Sequence, residues 1–310
     1  MNYCFGVDIG GTTVKIGLFQ DNGTIVDKWE IPTRKQEGGK YILPDISKSL
    51  LDKINEKQIN KKDILGAGVG VPAPIKEEGI VRGSANLNWE YKEVIKELHE
   101  LTGFKIKTGN DANMATLGEM WLGSGKNYNN LIMITLGTGV GGGIIINGKP
   151  LIGSNGAGGE IGHLKVNYNE DKHCGCRGQG CLEQYASARG IVNLAKNKLE
   201  KTNIKSILNK DDITSKDVFD ALKDGDEIAK EVIEEFGKYL GYAIANIAVI
   251  IDPEIILIGG GVSKAGNVII EYVKKYFDKK AYFANRNIKF ELASLGNDAG
   301  ICGAAKLILI

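Results

Sequence analysis

Hydrophobic positions near the start of the chain alternate. Tyr3 to Ile9 is rich in strand formers and runs into Gly10-Gly11-Thr12-Thr13, after which Val14 to Phe19 resumes an extended pattern. The spacing predicts a hairpin with Asp8 and the hydroxyls of Thr12 and Thr13 at its tip. Asn22-Gly23 marks a turn, and Ile25 to Ile31 reads as a third strand. Ile46, Leu50, Leu51 and Ile54 then recur at helical spacing. Leu65 to Val71 is a buried, small-residue strand stopped by Pro72 and Pro74, and a helix is expected from about Lys92 to Leu101. Phe104 to Thr108 is the next strand, followed by Gly109-Asn110-Asp111-Ala112-Asn113 and a helix over Ala112 to Trp121.

The pattern then starts again. Asn130 to Leu136 is strongly apolar and leads into a glycine run, Gly137-Thr138-Gly139-Val140-Gly141-Gly142-Gly143. Gly137, Gly139 and Gly142 satisfy the spacing of a dinucleotide fingerprint, which requires a helix directly after it. A strand, Ile144 to Ile146, and an Asn147-Gly148 turn follow instead, so the stretch reads as a second hairpin. Helices are expected over Glu183 to Leu199, which leads into a charged segment and then Val218 to Leu222, and over Ile228 to Ile250, closed by Asp252-Pro253. Glu254 to Ile258 is a strand ending in Gly259-Gly260-Gly261, with a helix after it; residues 287–293 form a last strand and Ala299 to Leu309 a terminal helix. The echo between the halves predicts two similarly built α/β domains, divided near the helix at 112–121.

Length agrees with that division, since 310 residues exceed one compact core. With 39 basic and 38 acidic side chains, the net charge of +1 argues against electrostatic capture of nucleic acid or an anionic membrane. The N-terminus lacks a basic region followed by a long apolar run, and Ala243 to Ile251 is too short to span a bilayer. The expectation is a cytoplasmic protein with reduced thiols. Glycine, at 42 residues, clusters in short runs, as where backbone must approach a neighbour closely.

The candidate chemistry centres on Gly159 to Glu183. Cys174, Cys176 and Cys181 fall within eight residues, with His163 eleven residues upstream of the first. Three thiolates and an imidazole make the ligand set of a closed, structural zinc site. Disulfides are the alternative, disfavoured by the close spacing of Cys174 and Cys176. Glu160 and Glu183 ride on the same loop. Elsewhere each signal has a plain reading beside the functional one. The turns at Gly10-Gly11 and Gly137-Thr138-Gly139 can cradle phosphate oxygens or simply reverse the chain, and Lys15 can steady phosphate or be solvated. Gly260 and Gly261 suit a nucleoside or a tight connection. Asp111 sits where a helix N-cap belongs, yet also at a strand end where open α/β sheets place their chemistry. Asn86 and Asn88 are sugar-type hydrogen-bonding side chains or turn residues.

Together, Asp8-x-Gly10-Gly11-Thr12, Asn110-Asp111-Ala112-Asn113, Gly137-Thr138-Gly139-x-Gly141-Gly142, Gly159-Glu160-x-Gly162-His163 and Cys174-x-Cys176-x-Gly178-x-x-Cys181-x-Glu183 resemble the ROK sugar kinases, glucokinases above all. The motifs run in family order from residue 6 to about 303. The resemblance implies a two-domain actin/hexokinase-like (ribonuclease H-like) α/β fold with the active site in the interdomain cleft. It implies a small domain over residues 1–115, onto which a helix at 297–310 packs back, and a larger one over 116–296 carrying a zinc loop at 163–181. The activity implied is ATP-dependent phosphorylation of the 6-hydroxyl of glucose. Another hexose or N-acetylhexosamine, or a sugar-sensing regulator without turnover, are the alternatives. The family's repressors carry an extra N-terminal DNA-binding segment, and this chain begins at its first strand.

Carried over by motif, Asp111 is the expected catalytic base. Asn110, Glu160, His163 and Glu183 are expected on the sugar hydroxyls, with Asn86 and Asn88 as further contacts. Asp8, Gly10, Gly11, Thr12, Thr13, Lys15, Gly137, Thr138 and Gly139 are expected around the ATP phosphates and Mg²⁺, and Gly260 and Gly261 near the adenosine. His163, Cys174, Cys176 and Cys181 are the expected zinc ligands. The partners implied are sugar, ATP and further copies of the chain, as a dimer or tetramer.

Overall fold

The computed structural model describes residues 1–208 and 211–310 and divides them into two compact units. The first comprises Met1–Asn129, Gly143–Gly159 and Leu295–Ile310. It contains β1 (Tyr3–Ile9), β2 (Thr13–Gln20), β3 (Ile25–Pro32), a single turn α1 (Gln36–Gly39), α2 (Ile42–Glu56), β4 (Ile64–Val71), the short ribbon strands β5 (Ile80–Val81) and β6 (Lys92–Glu93), α3 (Val94–Thr102), β7 (Ile106–Asn110) and α4 (Asp111–Leu122). The sheet order is β3-β2-β1-β4-β7. Its first three strands form an antiparallel meander, while β4 and β7 add in parallel beside β1.

Both faces of this sheet are buried, which is why β1 and β4 read as nearly continuous apolar runs. On one face Phe5, Val7, Ile16 and Leu18 pack against Ile42, Ile46 and Leu50 of α2. On the other, Cys4 and Phe19 meet Ile301, Cys302 and Ala305 of the terminal helix, Ala299–Leu309. That helix lies so close that a methyl group at Gly68 would come within 1.7 Å of the Ala304 carbonyl oxygen. It crosses α4 equally closely, since a methyl group at Gly303 would lie 1.7 Å from the Met114 oxygen. The last residues of the chain are therefore part of the first core.

The second unit comprises Asn130–Gly142 and Glu160–Ser294. Its elements are β8 (Leu131–Leu136), β9 (Val140–Ile146, which runs on past the unit's edge to the short β10, Lys149–Pro150), α5 (Glu183–Ala186), α6 (Ala188–Leu199), α7 (Ser215–Lys223), α8 (Glu227–Ile251), β11 (Ile255–Gly259), α9 (Val268–Lys280) and β12 (Lys289–Leu292). The terminal helix is α10. The second sheet has the order β10-β9-β8-β11-β12, with β8, β11 and β12 parallel. α8 is capped by the Asp226 carboxylate, which accepts the Ala229 N–H at 2.8 Å, and it stops at Asp252 in a left-handed conformation before Pro253.

Three elements differ from the sequence expectation. The helix expected from Glu183 breaks at Ser187, whose backbone is extended and whose hydroxyl accepts the Gly190 N–H at 2.9 Å to start α6 afresh. The residues after Gly259 make a 3-10 turn, Gly261–Ala265, before α9, because Gly260 and Gly266 both take positive φ. α3 begins at Val94, since Lys92 and Glu93 are committed to pairing with Ile80 and Val81. α4 remains whole within the first unit, where its small residues hold α10.

Candidate active site and metal centre

In the first unit the β1–β2 turn is closed by the Gly10 N–H donating to the Thr13 carbonyl at 2.9 Å. The segment after β3 clamps it: the Thr33 hydroxyl donates to Gly10 O at 2.7 Å, and the Thr33 N–H to Thr12 O at 2.9 Å. Thr12 stays exposed at the tip. Asp8, directly before this turn, is half-buried against α10, where a methyl group at Gly300 would come within 2.6 Å of its carboxylate. Across the sheet Asp8 lies level with Gly70 and, beyond it, Gly109, and a methyl group at Gly70 would sit 3.5 Å from Asp8 Oδ1 and 3.3 Å from Met114 of α4.

That clearance has an electrostatic result. Burial pushes the Asp8 carboxyl up to about 6, the negative charge of Asp111 pushes the same way, and Lys15, its cross-strand partner, pulls against them. Asp8 therefore feels Asp111 and Lys15 in opposite senses.

Asp111 does not cap α4. The N-cap is Asn110, whose side-chain oxygen accepts from the N–H groups of Ala112 at 2.9 Å and Asn113 at 3.3 Å. β7 extends to Asn110, so Asp111 becomes the first helical residue, with its Oδ1 accepting the Ala112 N–H at 2.8 Å. Asn86 is exposed, and its backbone borders Gly11. Asn88 takes a left-handed turn conformation and donates its amide to the Lys35 carbonyl at 3.3 Å, so its side chain is already engaged in holding the loop.

In the second unit, β8, β9 and β11 bring two glycine turns to one sheet edge. Thr135 of β8 is paired with Gly259 of β11, so Gly137–Gly139 and Gly260–Gly261 follow adjacent strand ends. At the first, the Gly137 N–H donates to Gly139 O at 2.9 Å, Thr138 is exposed, and the Gly137 carbonyl accepts the Ala188 N–H at 2.8 Å from the first residue of α6. A cavity of about 200 Å³ opens beside it, with Thr138, Cys174, Glu183, Ser187, Arg189 and Asn193 in its wall.

The metal-type cluster lies in the same unit. His163 ends a 3-10 turn, Ile161–His163, one turn after the exposed Glu160. Cys174 begins a tight loop in which its N–H donates to Gly178 O at 2.7 Å and the Arg177 N–H to Cys174 O at 2.8 Å. The loop returns through Gly180, at positive φ, to set Cys181 opposite Lys165. The ligand atoms of His163, Cys174, Cys176 and Cys181 all lie within 4.8 Å of one another. Cys176 Sγ is 3.6 Å from Cys181 Sγ, and Cys174 Sγ is 3.8 Å from His163 Nδ1. A tetrahedral zinc with bonds of about 2.3 Å has sulfur–sulfur edges of about 3.8 Å, so the cluster matches that ion. All three cysteines are free thiols, at odds with the disulfide alternative. Glu183 ties the cluster to the glycine turn: one carboxylate oxygen is 3.7 Å from Cys174 Sγ, and the other accepts the Val140 N–H at 3.0 Å.

Sequence reasoning missed four participants. Gly300, which admits Asp8 against α10, sits some 290 positions away from it and carries no local signal. Ser187 and Arg189 were absorbed into a continuous helix, although a serine three residues before a glycine-containing turn is a capping cue. Lys165 reads as an ordinary exposed lysine, yet its ammonium contacts Cys181 Sγ.

Comparison with known proteins agrees along the whole chain. The ROK family profile matches residues 4–309. A glucokinase of Halalkalibacterium halodurans is 43% identical over 311 aligned residues, covering 98% of this chain and 94% of that protein. A glucokinase of Thermotoga maritima is 34% identical, with 98% and 96% covered. The crystal structure of a ROK family glucokinase from Streptomyces griseus in complex with glucose and AMPPNP matches with a TM-score of 0.76 at 30% identity, covering 99% of each chain.

Proposed function

The chain belongs to the ROK family, and from that premise we propose that it transfers the terminal phosphoryl group of ATP to the 6-hydroxyl of glucose, with Asp111 as the base. The fold is the two-domain α/β architecture of the actin/hexokinase type that the family implies. The observation that carries the assignment of Asp111 is the division of labour at the start of α4. The Asn110 carboxamide caps the helix through two N–H groups, so the Asp111 carboxylate, which shares only the Ala112 N–H, is not needed as the cap.

Phosphoryl transfer asks the protein for positioning and charge stabilisation more than for covalent chemistry. Asp111 orients the hydroxyl nucleophile and accepts its proton as the new oxygen–phosphorus bond forms and the bond from the terminal phosphorus to the departing ADP breaks. Asn110 contributes a sugar contact beside it. In the second unit Glu160, His163 and Glu183 hydrogen-bond the remaining hydroxyls. The turns at Gly10–Thr13 and Gly137–Gly139 offer backbone N–H groups and the Thr12 and Thr138 hydroxyls to phosphate oxygens. The turn at Gly260–Gly261 suits the adenosine.

Two metals fit the residues present. Asp8 and Asp111 lie close enough for the charge of one to act on the other, and hard oxygen donors of this kind would complement a Mg²⁺–nucleotide complex. Magnesium, when bound, supplies positive charge to the phosphates. The three cysteines and His163 would hold zinc as a structural ion, which when bound would fix the orientation of the His163 ring.

No helix among the described residues is long and apolar enough to cross a membrane. We also infer self-association: Val249 and Ile250 at the end of α8 are 55% and 79% exposed, a face suited to a second copy, which light scattering tests. The activity itself is tested by coupled ADP release with Mg-ATP over a panel of hexoses and N-acetylhexosamines. Selective kcat/KM for glucose supports the reading, another preferred sugar reassigns the substrate, and sugar binding without turnover would favour a regulator.

A further inference from the structure

Lys165 reaches the metal-type cluster without supplying one of its ligands. Its Nζ lies 2.9 Å from Cys181 Sγ. The position a methyl group would take at Gly178 is 2.4 Å from the same nitrogen and 3.4 Å from Cys176 Sγ, so the ammonium stands near the edge joining two of the sulfurs. The delivery is structural. Lys165 is bridged across from Cys181, and the flanking backbone is fixed by Val166 N–H to Gly180 O and Leu182 N–H to Leu164 O, each at 2.8 Å.

Charge makes the contact consequential. A divalent ion with three thiolates and a neutral imidazole carries a net charge of −1, and the Glu183 carboxylate, 3.7 Å from Cys174 Sγ, adds to it. A single ammonium brings the centre itself to neutrality, and an N–H bond to a charged sulfur is stronger than one between neutral groups. Groups that hydrogen-bond to ligands govern metal retention nearly as much as the ligands do.

We propose that Lys165 is a positioning residue of the zinc centre, whose ammonium offsets the surplus charge of the three thiolates and holds the ion against loss. The proposal rests on reading the cluster as a zinc site. Since Lys165 is exposed, its contribution is sensitive to salt.

The test is zinc transfer from wild-type, K165R, K165M and K165E proteins to a chromophoric chelator, after each has been loaded and its zinc content measured. K165M is expected to release zinc about 10-fold faster than wild type, within the range seen when such partners are removed. K165E should release it faster still, K165R should restore retention to within about 2-fold, and the differences should shrink at high salt. Equal release from wild type, K165M and K165E would overturn the role of Lys165 while leaving the zinc site standing. Failure of the wild-type protein to take up zinc would overturn the metal reading and this inference together.

Discussion

Glu183 accepts the backbone N–H of Val140 at 3.0 Å, so a carboxylate placed just beyond the cysteine loop also braces the glycine turn of the β8–β9 hairpin. Val140 is buried, and Glu183 supplies the acceptor for its N–H. Replacing Glu183 by Ala should therefore destabilise the protein by about 1–3 kcal/mol, the cost of an unsatisfied buried donor, and should raise the KM for glucose. Glu183→Gln keeps an acceptor oxygen and should recover most of the stability while KM remains high. Thermal melts and steady-state kinetics on the two variants separate bracing from sugar contact; equal kinetics in both and in wild type would remove Glu183 from the sugar site.

Asp111 and its neighbour Asn110 should separate in the opposite sense. Asp111→Asn is expected to fold normally, bind sugar and lose about 10²–10⁴-fold in kcat, the usual contribution of a general base. Asn110→Ala removes the cap and should cost about 1 kcal/mol in stability. Chemical denaturation and turnover measured on both variants decide the matter, and substantial activity in Asp111→Asn would return that residue to a structural role.

The raised pKa of Asp8 makes a stability prediction with a definite sign. Between about pH 4, where the unfolded side chain ionises, and about pH 6, where the folded one does, the folded state holds the extra proton. Stability should therefore fall as pH rises through that window, and the whole penalty, on the order of 2–3 kcal/mol, persists at neutral pH. Asp8→Asn should raise the melting temperature at pH 7.5, leave it nearly unchanged at pH 3.5, and lower turnover with Mg-ATP. A variant no more stable than wild type at pH 7.5 would mean that Asp8 carries no such penalty.

Zinc removal should act on sugar affinity before it acts on the fold. The four ligands all lie in one loop region of the second unit, whereas the cores are built on the two sheets. Chelator-treated protein and Cys176→Ala are expected to keep their far-UV circular dichroism while glucose binding by calorimetry weakens at least several-fold. Unchanged affinity in metal-free protein would detach the metal from the site.

Much of this could be read along the chain because the relevant physics is local. Alternation and helical spacing located the longer strands and most of the helices, though not α1, α7, β5, β6 or β10, and glycine runs between strands marked the turns at Gly10–Gly11 and Gly137–Gly139. The cysteine spacing and His163 identified the ligand set, since a tetrahedral ion needs four donors that a short loop can bring together. The cap at Asn110 was misplaced by one residue and the helix break at Ser187 was missed, both where side-chain capping competes with continuation of the helix or strand.

What the sequence alone determined is thus the order of elements, the chemistry of the motifs and the family that shares them. Only the tertiary structure decided that Asn110 and not Asp111 closes α4, that Gly300 admits Asp8 against α10, that Glu183 braces Val140, and that Lys165 meets Cys181. Each of these depends on where a side chain's remaining bonding capacity is spent, and in all but the cap the partner lies far along the chain. Sequence periodicity reports which face is buried; it carries no record of which atom across the interface receives the hydrogen bond.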